Sequence, residues 1–180
     1  MNFYKNHFGM IVSSVIALSV SFVMATAAIF VDHLTFTVPL WIRNWGTAFL
    51  VITISGMIFP LTDWSFALGR KLGLKPETLP HILLENTVAT LVFNLMATLV
   101  LAGVNIFANA EIAGAIDAGF LPYKSVGDMY VKTVLKDLPI MFVISFVAAF
   151  FLTKLAISIA KKSLGVDTLA TENSPQNAHK

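Results

Sequence analysis

The stretch that decides the fold runs from Thr90 to Asn105, TLVFNLMATLVLAGVN, inside an uncharged run from Asn86 to Ala110. Its polar and small residues are ordered rather than scattered. Thr90, Asn94, Thr98, Ala102 and Asn105 recur at spacings of four, four, four and three, so a helix gathers them into one ridge. The rest of the stretch is almost wholly Leu, Val, Phe, Met and Ala. A helix that is apolar except for one ridge of amides and hydroxyls suits a membrane, with the ridge turned toward other helices.

The whole chain agrees with that stretch. It has 180 residues, 57% of them hydrophobic and only 12% charged, where a soluble domain carries about 25% charged residues. The expected partner is the lipid bilayer. A net charge of +2 gives no ground for a nucleic-acid partner. Cysteine is absent, which excludes disulfides, thiolate metal sites and thiol nucleophiles.

Working outward from Thr90, four apolar runs are expected to be helices. The first, Phe8 to Val31, holds 24 residues without a charge, enough for roughly 30 Å of hydrocarbon. A competing reading makes it a signal peptide cut after Ala25-Thr26-Ala27, but the run is long for that role. The second runs from Trp45 to Pro60, after a connector with Pro39, Trp41 and Arg43. Pro60 is expected to kink this helix rather than end it, because Trp64 to Leu68 is again mostly apolar. The third runs from an N-cap at Thr78 to about Ala108, and the fourth from Asp137-Leu138-Pro139 to Thr153. Glu111 to Gly119 reads as a short surface helix, and residues 166–180 as a disordered tail.

An internal repeat organises these runs. Shifted by 77, the first run falls on the third: Ser13 meets Thr90, Ala17 meets Asn94, Ser21 meets Thr98, Ala25 meets Ala102 and Ala28 meets Asn105. Shifted by 92, the second falls on the fourth, and Gly69-Arg70-Lys71 meets Lys161-Lys162-Ser163. The expected fold is therefore all-α, an integral membrane four-helix bundle made of two tandem hairpins of the same orientation. The units span residues 1–76 and 77–165, with the tail at 166–180. The two ridges are expected to pack centrally on each other. Eight Lys and Arg residues fall on the side of the termini and the 69–79 loop, against four on the other, which places both termini in the cytoplasm.

Several segments carry a resemblance. Ser19 to Met24 (SVSFVM), Trp41 to Trp45 (WIRNW), and an apolar helix with a proline and a basic end such as Gly69-Arg70-Lys71 resemble a bacterial family of small two-helix membrane proteins of unknown function. The resemblance implies a tandem pair of such units over about residues 8–165, in a bacterial cytoplasmic membrane. It implies architecture and no chemistry. The second unit departs from the pattern, with Thr133, Leu135 and Leu152 in place of Trp41, Arg43 and Pro60.

Three functional readings follow from the residues. Ser13, Ala17, Ser21 and Ala25 form a small-residue ridge suited to close helix approach. With no charge in the middle of any run, this favours a non-enzymatic protein acting by helix-mediated association, with itself or a membrane partner. The second reading is an oligomeric transporter of a small solute or ion, lined by Ser21, Thr90, Asn94, Thr98 and Asn105. The third is an ionisable cluster of Asp63, His81 and Glu85 that relays a proton or senses a metal. No phosphate loop, no HExxH and no Ser-His-Asp order occurs, so no catalytic residue, cofactor or resident metal is expected.

Overall fold

A computed structural model describes residues 2–32, 34–75 and 78–164. The expected tail at 166–180 and His33 lie outside the described residues. Among those described the fold is all-α, with six helices: α1 Asn2–Val31, α2 Val38–Ile58, α3 Leu61–Lys71, α4 Leu79–Phe107, α5 Ala110–Asp117 and α6 Val126–Leu164. α1, α4 and α6 are each long and apolar enough to cross a membrane, and α2 with α3 passes the same test as one bent pair.

The breaks follow from local chemistry. Phe59 takes an extended conformation, φ −92° and ψ 126°, because a residue before proline is crowded out of the helical region. α2 and α3 meet there at 62°, so Pro60 interrupts the helix more sharply than a kink. Gly73 ends α3 at φ 69°. Leu74 N–H then donates to the Gly69 carbonyl and Gly73 N–H to that of Arg70, which satisfies the last turn. α5, the expected short surface helix, closes the same way at Gly119.

α6 begins at Val126, about three turns before the start expected from Pro139. Two features make this early start stable. Ser125 Oγ accepts from Asp128 N–H, an N-terminal cap that the sequence reading passed over. Pro139 then sits inside the helix, at a turn that also receives a hydrogen bond from a neighbouring helix, as described below. α2 starts at Val38 with Pro39 in its first turn, as an early helical position allows, and Thr37 Oγ1 accepts from Leu40 N–H.

The helices form a ring in the order α1, α2, α4, α6 and back to α1, with α3 against α4. α1 and α4 therefore stand on a diagonal. The expected central packing of the two ridges on one another is not what forms: each helix is flanked by α2 and α6 instead. A shared apolar layer of Ala17, Val20, Met24, Ile52, Ala97 and Met141 fills the middle. Polarity is inverted relative to a soluble protein. Ser21, Asn44, Thr90, Asn94, Thr98 and Ser145 are buried, whereas Phe22, Phe30, Leu50, Ile54, Leu91, Val143 and Phe151 face outward. That arrangement fits hydrocarbon around the ring.

Two indoles lock the first hairpin. Trp41 Nε1 donates to Thr26 Oγ1 at 3.0 Å and Trp45 Nε1 to Ser21 Oγ at 3.2 Å. The two rings stack 5.3 Å apart, and Phe22 meets both edge-on. Trp41 and Trp45 are thus interhelical clasps. Trp45→Phe keeps the ring and removes the donor. It should lower stability in detergent by about 1 kcal/mol, measured by thermal or denaturant unfolding of the intact chain.

Candidate functional site

The ridges divide between two cavities on either side of the apolar layer. The larger is a cleft of about 1140 Å³ bounded by α1, α2, α4 and α6. Asp63, Leu79, Glu85 and Lys154 line its mouth end, and Met24, Thr53, Asn94 and Ser145 its inner end. Ser13, Ala17, Thr90 and Asn94 of the two ridges line it. The walls are otherwise mostly apolar, with Val20, Phe49, Ile52 and Phe93 among them.

The smaller cavity lies toward the opposite end and measures about 10 Å³, room for one water. Ala28, Asp32, Thr98, Ala102, Asn105 and Asp137 contribute to its lining. Ser21 and Ala25 line neither space: Ser21 holds Trp45, and Ala25 is fully buried. The small-residue ridge of α1 is thus largely consumed inside the chain.

Polar links close the ring at this second end. Lys136 Nζ lies 3.1 Å from Asp32 Oδ1 and 3.2 Å from Asp137 Oδ1, tying α6 to the end of α1. Arg43 Nη2 donates to Asn105 Oδ1 at 2.7 Å, tying α2 to α4. Asn105 is therefore a partner of Arg43, and the sequence offered no sign of that pairing across 62 positions. Asn44, adjacent to Arg43, is fully buried with neither amide atom bonded. It too escaped the sequence reading, and nothing in its surroundings accounts for it.

Asn94 and Ser145 are the most deeply buried polar lining residues of the cleft, each 1% exposed. Asn94 Nδ2 donates to the Leu138 carbonyl at 2.9 Å. This carbonyl precedes Pro139, so α4 braces α6 where proline loosens its ladder. Asn94 Oδ1 and Thr53 Oγ1 are buried without partners. A sequence ridge marked Asn94, while Thr53 signalled itself only as a hydroxyl in an apolar run.

The proposed ionisable cluster comes together only in part. His81 Nδ1 lies 3.6 Å from Glu85 Oε1. The imidazole is buried and packs 4.8 Å from the Phe66 ring, over Gly69 of α3. Asp63 is exposed and joins neither of them in an ion pair. Among the described residues no three His, Asp or Glu side chains stand close enough to hold a metal. His81 thus serves the α3–α4 contact, and its polarity is what made it look like a ligand.

Two substitutions test these contacts. A Cβ at Gly69 would sit 2.8 Å from His81 Cδ2. Gly69→Ala should therefore cost about 1–3 kcal/mol, and adding His81→Ala should relieve part of that cost in the same unfolding assay. Lys136→Met leaves two carboxylates facing each other. It should destabilise by about 1–2 kcal/mol, discounted because the ammonium is half exposed, and Asp137→Asn added to it should recover part of the loss.

Geometry alone carries the functional reading, because comparison with protein-family models, with curated proteins and with solved structures finds no match for this chain.

Proposed function

We propose that this is a four-span membrane protein of two tandem hairpins that binds a small solute in the cleft and carries it across the bilayer, without enzymatic chemistry. The observation that carries the reading is the cleft itself. It enters from one end of the ring, reaches the Asn94 amide near the middle of α4, and stops at the layer of Met24, Ile52, Ala97 and Met141. A solute space open to one side and shut on the other by packed side chains is one half of an alternating-access cycle. The links Asp32–Lys136 and Arg43–Asn105 are polar and reversible, as a second gate requires.

Supporting the tandem reading, the ring order is what a pseudo-twofold axis along the membrane normal would give. α1 matches α4 in length and the α2–α3 pair matches α6, so α1–α6 contact corresponds to α4–α2 contact. The bend at Pro60 has no counterpart in α6, where the matching residue is Leu152. In the orientation favoured by Lys and Arg, both termini and the cleft mouth face the cytoplasm of the bacterial membrane that the family resemblance implies.

The alternative of helix-mediated association loses its motive, since much of the small-residue ridge of α1 is covered within the chain.

The absence of cysteine makes accessibility a clean test. Ala89→Cys and Thr153→Cys, half-buried positions in the cleft wall, should react with a water-soluble maleimide added from the cytoplasmic side of oriented vesicles. Ser21→Cys and Ala25→Cys should stay protected. Protection of both cleft positions, together with no flux of a broad solute panel in proteoliposomes, would sink the transport reading.

A further inference from the structure

Of the three tryptophans, Trp64 on α3 is the one whose N–H is left over. Trp41 and Trp45 donate theirs to Thr26 and Ser21 inside the first hairpin. Trp64 Nε1 meets no acceptor among the described residues, and the residue is 44% exposed. A large exposed indole with a free donor suits the membrane–water boundary, where the ring meets hydrocarbon and the N–H meets headgroup oxygen or water.

The position of α3 agrees. α2 has 21 residues, a rise of about 30 Å, which crosses the hydrocarbon before the break at Pro60. α3 has only 11 residues and turns 62° away from α2, so it runs closer to the membrane plane than to the normal. One side of α3 is occupied: Ser65 and Gly69 are buried, and Gly69 lies against His81 and Leu84 of α4. Trp64, Leu68 and Lys71 recur at spacings of four and three and form an exposed flank. Asp63, Ala67 and Arg70 form the next flank by the same spacing, also exposed. An apolar flank beside a polar one is the pattern of a helix lying in the interface.

Charge names the lipid. Arg70 and Lys71 close α3 and Lys75 follows in the loop. Among the described residues none of the three pairs with a carboxylate. Asp63 shares the Arg70 flank but stands about 10 Å away, two turns along the helix. A guanidinium and an ammonium one residue apart, beside an indole, fit a phosphate held at headgroup depth. In the orientation that the Lys and Arg count favours, this end faces the cytoplasmic leaflet, where anionic lipids concentrate.

We infer that α3 is a docking surface for an anionic phospholipid: Trp64 and Leu68 enter the acyl boundary, and Arg70 and Lys71 hold the headgroup phosphate. The first turn of α3, Leu61 to Asp63, lines the cleft mouth, so this lipid sits beside the entrance. The inference does not depend on what the cleft carries.

The test is fluorescence quenching of the full chain reconstituted in phosphatidylcholine. The Trp64 signal is the difference between the unaltered protein and Trp64→Phe, which keeps the two clasp indoles. Bromines placed near the glycerol should quench it more than bromines at the chain end. Brominated phosphatidylglycerol should associate about fivefold more strongly than brominated phosphatidylcholine, the worth of one basic side chain at an anionic surface. That preference should fall toward one in about 1 M salt, which shortens the screening length to about 3 Å. Arg70→Gln with Lys71→Gln should remove the preference and leave the depth profile unchanged. Both positions are exposed, and the salt series on the unaltered chain carries the test if this variant fails to fold. Equal quenching by the two headgroups at low salt overturns the inference. So does a Trp64 signal quenched by aqueous iodide but not by brominated lipid. Strongest quenching from the chain end overturns it too, since α3 would then continue the span of α2.

Discussion

The hydrogen bond from Asn94 to the Leu138 carbonyl is the constraint on which the rest of the structure turns. Hydrocarbon offers an amide no partner, so Asn94 must find one on another helix. Pro139 supplies no N–H to the Leu135 carbonyl and crowds it, which loosens α6 at that turn. A donation from Asn94 into the same turn pins α6 to α4 there. With α6 packed on both α4 and α1, and α2 on the other side, the two ridge-bearing helices do not pack face to face along their length. They stand on a diagonal, joined near mid-depth by an apolar layer and separated elsewhere. Below the layer the separation is the cleft, and above it the polar cavity beside Asp137.

Helix type and membrane character were legible because both rest on local pattern. An uncharged run with a four-residue polar ridge allows few other readings. The turn at Pro60 and the stops at Gly73 and Gly119 were legible for the same reason, since proline and glycine act within one or two residues. The start of α6 was misplaced because a proline was weighed above a cap. Ser125 and Asp128 lie in a polar segment, where a helix start looks like any other loop.

The site was legible only in part, for a different reason. The ridge spacing named Thr90, Asn94, Thr98 and Asn105, and all four line a cavity. Spacing could not tell which cavity, because that depends on which helix stands opposite. Ring order is a property of packing between distant segments and leaves no trace in periodicity. The links from Arg43 to Asn105 and from Lys136 to Asp32 join residues 62 and 104 positions apart. His81 misled in the opposite direction. Its spacing to Glu85 suggested a ligand pair, whereas the small residue Gly69 on α3 had made room for the imidazole.

Under the proposed duplication, the two halves solve one problem differently. Ser21 corresponds to Thr98, and Trp45 to Asp137. In the first half the indole fills the space beside the α1 hydroxyl and bonds to it at 3.2 Å. In the second half a carboxylate replaces the indole, far smaller in volume, and the Thr98 hydroxyl loses its partner. The space left over is the polar cavity of about 10 Å³. The neighbouring pair changes in step, Asn44 to Lys136, and the ammonium bridges Asp137 to Asp32 across the helices. A rigid aromatic clasp holds the first hairpin together, whereas a charged link joins the second hairpin to the first. Stacked indoles carry no net charge for water to screen, whereas an ion pair weakens as water enters. If one hairpin moves against the other during transport, the charged link between them is therefore the contact built to part.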